Sequence, residues 1–252
     1  MKSPYEITET ILSLFAEVMR LTGRLEGLTM NTKASPELRR QNRIKTIYST
    51  LAIEGNTLSL DQVSAILDDK KVLGPQKDIL EVTNAIEVYG QLEDFESCSK
   101  DDFLEAHQGL MKGLISDAGQ LRKRGVGIQK GEEMTHIAPP AENVPTLINE
   151  LFSYLKNGDD LLLIKSCVFH YELEFIHPFS DGNGRMGRLW QSCILSELSS
   201  VFTFLSIENV IKEKQQEYYA ALSACDKVGQ STQFIEFMLQ QLLEAFNEYE
   251  EA

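Results

Sequence analysis

Apolar residues recur at helical spacing along most of this chain, and that spacing limits the fold more than any other feature. In residues 5–23 the apolar side chains follow a period near 3.6, which predicts one helix ended by its terminal glycine. A second helix is predicted to have Ser35 as its N-cap and Pro36 as its first helical residue, and to end at Gly55. Further predicted helices cover residues 59–70, 76–95, 100–115, 143–157, 160–175, 185–199, 208–224 and 231–250.

Residues 119–140 break the helical pattern. They contain four glycines and two prolines, and their apolar residues alternate over short distances. The alternation predicts a two-stranded hairpin, with Val126 and Ile128 on one arm and residues 135–137 on the other. Because a lone hairpin is only marginally stable, this one should lean on the helices. The expected fold class is therefore all-α, with a single β-hairpin.

Composition excludes several classes of protein. The formal net charge is −14, and such an acid excess argues against a nucleic-acid partner, because binding the phosphate backbone needs a basic face. No apolar stretch approaches the ~18 residues of a membrane span, so no membrane association is expected. The four cysteines lie far apart and form no CxxC pair. This spacing favours reduced thiols in a cytoplasmic protein and argues against a zinc site.

The stretch HPFSDGNGRMGR, residues 177–188, is the part of the sequence that indicates chemistry. The apolar helix before it should end at Pro178, and a new helix should follow the loop. Gly182–Gly184 would then lie at a helix N-terminus, where unpaired backbone N–H groups and the helix dipole attract anions. Arg185 and Arg188 share a face of the first turn. Positive charge there opposes the dipole, so the two arginines suggest an anion to neutralise.

Two more residues of this stretch favour the same chemistry. His177 is placed to accept a proton from an attacking hydroxyl, and Asp181 offers the hard oxygen that Mg²⁺ on a di- or triphosphate requires. Taken singly, a His-Pro helix end, an aspartate N-cap or a DGNG turn is usually structural. In this order and spacing, they favour phosphoryl or nucleotidyl transfer. The Walker pattern GxxxxGK[ST] is absent, so the chain is not a P-loop protein.

The same twelve residues resemble the signature of Fic domains, HPFx[D/E]GNGRxxR, at every defined position. Residues 119–151 resemble the flap hairpin of that family and the helix after it. Residues 214–239 resemble its C-terminal nucleotide-side segment. Together with an N-terminal element described below, the resemblance covers roughly residues 45–65 and 98–240.

The resemblance implies a domain organisation and an activity. Residues 97–240 would form the catalytic core, after an N-terminal helical region over residues 1–96 and before a helix end over residues 241–252. Most Fic proteins transfer AMP from ATP to a hydroxyl side chain of a target protein and release pyrophosphate. The expected partners are therefore ATP with Mg²⁺ and a target protein that the sequence does not name. Relatives form dimers or larger assemblies, so a homo-oligomer is a further expectation.

The resemblance also implies roles for individual residues. His177 would be the base and Asp181 the Mg²⁺ ligand, while the glycine–asparagine loop and the two arginines would hold the phosphates. The flap, about Val126–Gln129, would hold the target's backbone by strand addition. A tyrosine pair would lie beside the adenosine, near Asp226, where relatives often have asparagine. The expected nucleotide-binding residues are Asp181, Gly182, Asn183, Gly184, Arg185, Met186, Gly187, Arg188, Val126, Gly127, Ile128, Gln129, Tyr218, Tyr219 and Asp226.

A glutamate closes the second predicted helix, where the dipole disfavours negative charge by about 0.3–1 kcal/mol. A solvated glutamate tolerates such a place. However, the stretch STLAIEGN, residues 49–56, resembles the family's inhibitory motif [S/T]xxxE[G/N], with Thr50, Glu54 and Gly55 matching. In that motif the glutamate pairs with the second arginine, here Arg188, and keeps the γ-phosphate from binding productively. The resemblance thus implies self-inhibition by a helix over about residues 36–55.

Three alternatives to AMP transfer stay open. One is AMP removal, because the same glutamate positions water in some relatives. Another is transfer of a different group, although the phosphate-transferring branch departs from the GNGR sequence that this chain keeps. The third is a nucleotide-sensing module without turnover, against which the intact His177 and Asp181 argue.

Overall fold

The computed structural model describes residues 4–31, 36–125, 127–130 and 133–251, and these residues form an all-α fold with one small hairpin. Eleven α-helices are present in the described part of the chain. They are α1 (Glu9–Asn31), α2 (Pro36–Ile53), α3 (Leu60–Leu67), α4 (Gln76–Gly90), α5 (Lys100–Met111), α6 (Val144–Asn157), α7 (Leu162–Ile176), α8 (Asn183–Leu198), α9 (Ile207–Glu213), α10 (Gln215–Val228) and α11 (Thr232–Glu251).

Helices α7 and α8 form the centre of the molecule. Nearly every side chain of α7 is buried, and α7 packs along α8, with α6 and α11 on its other sides. Trp190 of α8 is fully buried, and its ring meets that of Phe103 edge-on at a centroid distance of 5.1 Å. Full burial of a large apolar side chain contributes about 1.5–3 kcal/mol. The loop between α7 and α8 therefore has rigid supports on both sides.

The N-terminal helices pack against this core. Helix α1 lies along α11, and α2 lies along α9 while also contacting α4, α3 and α8. Two side-chain hydrogen bonds fix α2 to the core, one in its N-terminal half and one at its C-terminal end. Asn42 donates to the carbonyl of Phe204 (2.7 Å), and Gln215 donates to the carbonyl of Ile53 (2.9 Å). The C-terminal end of α2 is thus held beside the first turn of α8.

The predicted hairpin is present as two short antiparallel strands, β1 (Gly127–Lys130) and β2 (Glu133–Ile137). Gly127 pairs with Ile137, and the register shifts between Ile128 and Gln129. The hairpin contacts α10 through β2. The predicted arm residue Val126 lies outside the described residues, as does the middle of the predicted turn.

Several helix boundaries differ from the sequence predictions. Helix α1 continues past Gly23 because the apolar stripe continues through the buried Leu25 against α11, which outweighs the ~1 kcal/mol cost of a helical glycine. The helix predicted over residues 208–224 is two helices, α9 and α10, separated at Lys214. Helix α2 ends at Ile53, and Gly55 takes a left-handed φ of 90°. The predicted N-cap Ser35 is outside the described residues.

Two predictions from composition can be compared with the structure. The four cysteines are free thiols, and three of them are buried. Among the described helices, none combines the length and the apolar character needed to cross a membrane.

Candidate active site

His177 is the residue at which α7 stops. It follows the last helical residue, Ile176, and takes a left-handed conformation with φ 49° and ψ 61°. The proline after it disfavours the ordinary helical region for His177, so the helix cannot continue. The Nδ1 atom of the half-buried ring lies 3.4 Å from the carbonyl oxygen of Glu174. The imidazole is therefore placed at the start of the loop, as the sequence predicts.

The loop after His177 closes on itself and leads directly into α8. The side chain of Asn183 accepts from the N–H of Phe179 (2.9 Å) and donates to the carbonyl of the same residue (3.0 Å). Gly182 is the N-cap of α8, with a φ of 87° that suits glycine. Helix α8 thus begins at Asn183, two residues earlier than predicted. The expected glycine–asparagine loop does lie at a helix N-terminus.

His107, which sequence reasoning missed, supports this loop through a hydrogen bond and a ring contact. Its Nδ1 accepts from the N–H of Gly119 (2.9 Å), so the proton is on Nε2, which donates to the carbonyl of Asp181 (3.0 Å). The ring stacks on Phe179 with centroids 3.6 Å apart. Burial lowers the pKa of His107 to about 4, so the ring is neutral at ordinary pH. No local pattern around His107 indicates this role.

Asp181 is the most exposed charged residue of the loop, with 52 % of its side chain accessible. Its Oδ1 accepts from the N–H of Gly182 (2.6 Å) and from Nη2 of Arg185 (3.1 Å). Within the described ranges, no group of three or more His, Cys, Asp or Glu side chains could enclose a metal ion. Asp181 is therefore one exposed hard-oxygen donor rather than part of a complete metal cage.

Arg185 is buried between two carboxylates. Besides Asp181, its guanidinium contacts Glu81 of α4, with Nη1 3.3 Å from Oε1. Glu81 is itself buried and accepts from Nδ2 of Asn56 (2.9 Å), two residues beyond Glu54. Glu81 and Asn56 are further site residues that the sequence reasoning missed.

Arg188 is paired with the end of α2. Its side chain is only 1 % exposed, and its Nη2 lies 2.6 Å from Oε1 of Glu54, which is 30 % exposed. Thr50 accepts from Nε of Arg188 through its hydroxyl (2.9 Å) and from Nη2 through its carbonyl (3.2 Å). Burial opposes the charge of Arg188, but Glu54, Tyr218 and Glu174 together outweigh burial, and the pKa of the guanidinium is raised.

The same glutamate carboxylate lies at the N-terminus of α8. A Cβ built on Gly184 would come within 2.5 Å of Oε1 of Glu54 and 3.1 Å of Nη1 of Arg188. The anion site expected at this helix terminus therefore holds a carboxylate of the chain itself. Thr50 and Glu54, predicted together with Gly55 from one short motif, both contact Arg188, and Gly55 follows Glu54 with a left-handed φ of 90°.

The predicted tyrosine pair is divided between the interior and the surface. Tyr218 is buried, and its hydroxyl lies 2.9 Å from Nε2 of His170. His170 is neutral, because burial lowers its pKa to about 3, and it contacts Gln191 at 2.5 Å through Nδ1. Tyr219 is 38 % exposed, with its ring centroid 5.3 Å from that of Tyr218.

The other predicted residues occupy varied places. Asp226 accepts a hydrogen bond from the hydroxyl of Tyr171 (3.0 Å). Met186 is fully buried in the core, and a Cβ on Gly187 would lie 2.8 Å from Oε1 of Glu174. Gly127, Ile128 and Gln129 form most of strand β1.

Comparisons with known proteins agree on one family. The family model of the Fic/DOC family matches residues 97–195. A solved structure of a Fic family protein from Desulfovibrio desulfuricans G20 is 45 % identical, superimposes with a TM-score of 0.95, and is matched over 100 % of this chain and 77 % of its own. The chain therefore belongs to the Fic family.

Two curated relatives carry the name protein adenylyltransferase fic-1. The protein of Caenorhabditis elegans is 28 % identical over 92 % of this chain, and that of Caenorhabditis briggsae is 30 % identical over 82 %. The alignments cover 46 % and 41 % of those relatives, so this chain spans less than half of their length.

Proposed function

We propose that this chain is a protein adenylyltransferase, which transfers AMP from ATP to a hydroxyl side chain of a target protein and is restrained by its own Glu54. One observation carries the proposal. His177 immediately precedes the loop that leads into α8, and the first two turns of α8 carry Arg185 and Arg188 near the N-terminus of that helix. The relatives named protein adenylyltransferase support the same activity.

In the proposed reaction, the target's Ser, Thr or Tyr hydroxyl oxygen bonds to the α-phosphorus of ATP. The bond from that phosphorus to the bridging oxygen breaks, and pyrophosphate leaves. The hydroxyl proton passes to Nε2 of His177. The contact between Nδ1 of His177 and the carbonyl of Glu174 supports this role, because a proton on Nδ1 leaves the lone pair on Nε2.

Asp181 fits the Mg²⁺ ion that a nucleotide triphosphate brings with it. Its carboxylate is exposed and offers hard oxygen, and a single carboxylate suits a magnesium ion held mainly by phosphates and water. When bound, Mg²⁺ would neutralise the charge that develops on the phosphates. If Asp181 turns towards the ion, Nη2 of Arg185 becomes available to a phosphate oxygen. Glu81 then still holds Nη1 of the same arginine.

We propose that Glu54 restrains this reaction by occupying the place of a phosphate. Its carboxylate pairs with Arg188 at 2.6 Å and lies over Gly184 at the positive end of α8. A triphosphate needs the same arginine and the same backbone N–H groups. Bound ATP would therefore be displaced from the attacking hydroxyl as long as Glu54 stays in place. The three matching positions Thr50, Glu54 and Gly55 support this interpretation.

The hairpin is the proposed docking element for the target. Among the described residues, strands β1 and β2 form a two-stranded sheet, so each has an outer edge that an extended peptide could pair with. We propose the edge of Gly127–Gln129 for this contact, together with a nucleotide base beside Tyr219 and Asp226. The catalytic core over residues 97–240, a cytoplasmic location and a homo-oligomer belong to the same proposal.

Labelling with two forms of ATP tests the proposed function. The Glu54→Gly protein is incubated with Mg²⁺ and either α-³²P-ATP or γ-³²P-ATP, with and without candidate target proteins. AMP transfer predicts protein labelling from the α-labelled nucleotide alone. Labelling from the γ-labelled nucleotide would instead mean phosphate transfer. If neither labels protein although the nucleotide binds, the chain is a nucleotide-binding module.

AMP removal is a second candidate, favoured by the position of Glu54. Its partly exposed carboxylate lies over the phosphate site, where it could orient a water molecule towards the α-phosphorus of a modified target. In that case the wild-type protein would release AMP from a purified AMP-modified protein, and Glu54→Gly would lose this release. If both proteins leave the modified substrate intact, the second candidate is wrong.

A further inference from the structure

A buried arginine outside the signature motif, Arg122, connects the site to the hairpin. The residue is only 3 % exposed, and its guanidinium donates to backbone carbonyls. The bonds run from Nε to His177 (2.7 Å), from Nη1 to Arg124 (2.9 Å), and from Nη2 to Pro139 (2.6 Å) and Ile176 (3.2 Å). A long cationic side chain is rarely buried this deeply, so its placement calls for a physical reason.

The end of α7 supplies that reason. The last carbonyls of a helix have no partner within the helix, and the dipole makes this end negative, so a buried cation with several donors stabilises it. Arg122 binds the carbonyls of Ile176 and His177, and its backbone N–H donates to the carbonyl of Pro178 (2.8 Å). Three consecutive carbonyls around the proposed base are therefore held by one residue.

The conformation of His177 needs this support. Its φ of 49° makes it one of two non-glycine residues with positive φ in the described part of the chain. A left-handed conformation costs an ordinary residue about 1–2 kcal/mol, and it persists only when the surroundings fix it. The hydrogen bonds of Arg122 lie on both sides of the φ and ψ angles of His177. They consequently determine where its imidazole points.

The same guanidinium also reaches both ends of the hairpin. Arg124 lies shortly before strand β1, and Pro139 lies two residues after strand β2. The planar guanidinium of Arg122 is thus hydrogen-bonded to a residue before β1, to a residue after β2 and to His177, the proposed base. Arginine suits this task because its five donors have a fixed geometry, whereas lysine offers a single flexible ammonium group.

We propose that Arg122 is a positioning residue, which sets the orientation of the His177 imidazole relative to the hairpin. This inference rests on the proposed function, in which His177 accepts the proton of a hydroxyl held beside the hairpin. Among the described residues, the hydrogen bonds of Arg122 do not involve the phosphate side of the site, residues 181–188. Loss of the guanidinium should therefore slow the transfer step and leave ATP binding nearly unchanged.

The size of the effect follows from geometry. Without Arg122 the carbonyls of Ile176 and His177 lose their donors, and His177 can relax towards a more common conformation. Misplacement of a catalytic group by about 1 Å can cost about 10²-fold in rate. We expect Arg122→Ala to lower the rate constant at saturating ATP by about that factor, and Arg122→Lys to fall between Arg122→Ala and the parent.

The experiment uses the full chain with Glu54→Gly as the parent. Arg122→Ala, Arg122→Lys and the control Lys123→Ala are added, the control removing the same charge from the exposed neighbouring residue. The measurements are the rate of AMP incorporation at saturating ATP, the Kd for ATP and the melting temperature. Each is repeated with millimolar guanidinium ion, which can occupy the cavity left by Arg122→Ala.

The proposal predicts a large loss of rate in Arg122→Ala with little change in Kd, partial recovery with guanidinium, and no effect of Lys123→Ala. A folded Arg122→Ala protein that transfers AMP at the parent's rate would overturn it. The proposal would also be overturned if the rate and the affinity for ATP fell equally, in step with a lower melting temperature, and guanidinium restored neither. If Arg122→Ala does not fold, the comparison of rate and Kd in Arg122→Lys decides.

A readout without activity separates this proposal from the proposed function. The chain has four histidines, so ¹³C-labelled histidine gives a simple NMR spectrum of the ring Cε1 groups. The His177 resonance should move in Arg122→Lys and stay in place in Lys123→Ala. If the parent transfers no AMP, the proposed function fails, and the spectrum still tests the positioning. An unmoved resonance in both variants contradicts the proposal.

Discussion

Replacing Glu54 by glycine should activate the protein at a moderate cost in stability. The substitution breaks the 2.6 Å contact with Arg188, whose side chain is 1 % exposed. Removing one partner of a fully buried ion pair can cost about 3–5 kcal/mol, because it leaves a charge uncompensated. Glu54 is 30 % exposed, however, and Arg188 keeps its two hydrogen bonds to Thr50. We therefore expect the free energy of unfolding to fall by about 1–2 kcal/mol, below that range.

The same substitution should raise the rate of AMP transfer strongly. With Glu54 absent, Arg188 and the N-terminus of α8 become available to a triphosphate, and the α-phosphate can approach His177. If the restraint displaces the α-phosphate by about 1 Å, its removal raises the rate about 10²-fold. The assay is the initial rate of protein labelling from α-³²P-ATP at saturating nucleotide. The free energy of unfolding is measured separately in urea.

Nucleotide-dependent melting provides an independent readout. A Kd that is ten times lower corresponds to about 1.4 kcal/mol of additional stabilisation by ligand. Glu54 pairs with the arginine that we assign to the γ-phosphate. Because only ATP has that phosphate, the substitution should lower the Kd for ATP more than the Kd for ADP. Glu37→Gly, which removes an exposed charge from the same helix, is the matched control. Equal labelling rates for wild type and a folded Glu54→Gly protein would refute this reasoning, as would a gain that survives Arg188→Ala.

Three further predictions concern other parts of the site. Asp181→Asn should abolish labelling in the Glu54→Gly protein and weaken the Mg²⁺ dependence of ATP binding seen by calorimetry, and unchanged Mg²⁺ dependence would contradict the assignment. Asn56→Ala removes the donor to Glu81 beside the inhibitory turn, so labelling should rise in the wild-type chain but not further in Glu54→Gly; a rise in both would show that Asn56 acts independently of Glu54. The lowered pKa values of His107, about 4, and of His170, about 3, mean that the unfolded chain binds more protons between those values and pH 6.5. Stability should therefore be fully present above pH 6.5 and fall by up to ~2.7 kcal/mol per pH unit below it, and urea unfolding at pH 6.5 and 5 that shows no loss would contradict this.

The helices were predictable because their pattern is local. Apolar spacing alone places most of them, since a helix buries side chains three and four residues apart. The predicted helix boundaries are wrong where tertiary packing determines where a helix ends. Gly23 does not end α1, because Leu25 continues the stripe against α11. The break at Lys214 between α9 and α10 has no local sequence signature that we can identify.

The centre of the site was predictable because its residues are contiguous. His177, Asp181, Gly182 and the two arginines lie within one loop and the first two turns of α8, so their order in sequence nearly determines their geometry. The Glu54–Arg188 contact spans 134 residues, and only the resemblance of a short motif indicated it. Physical reasoning about the sequence alone identified an acid at a helix end without indicating its partner.

The supporting residues could not be predicted in the same way. His107 meets Asp181 across 74 residues, Glu81 meets Arg185 across 104, and Arg122 meets His177 across 55. Each is a single polar residue in an ordinary helical or loop context, and its importance arises from burial that the sequence does not display. Arg122 in particular resembles one more basic residue in the stretch LRKRG until the fold places it inside.

Intact-protein mass spectrometry after incubation with ATP and Mg²⁺ tests the central claim most directly. Three proteins are compared: wild type, Glu54→Gly, and Glu54→Gly combined with His177→Ala. Restrained AMP transfer by His177 predicts a mass increase of one or more AMP groups in Glu54→Gly, much less in wild type, and none in the double variant. An AMP adduct that forms equally in all three proteins, with each shown to be folded, would contradict both the assignment of the base and the restraint by Glu54.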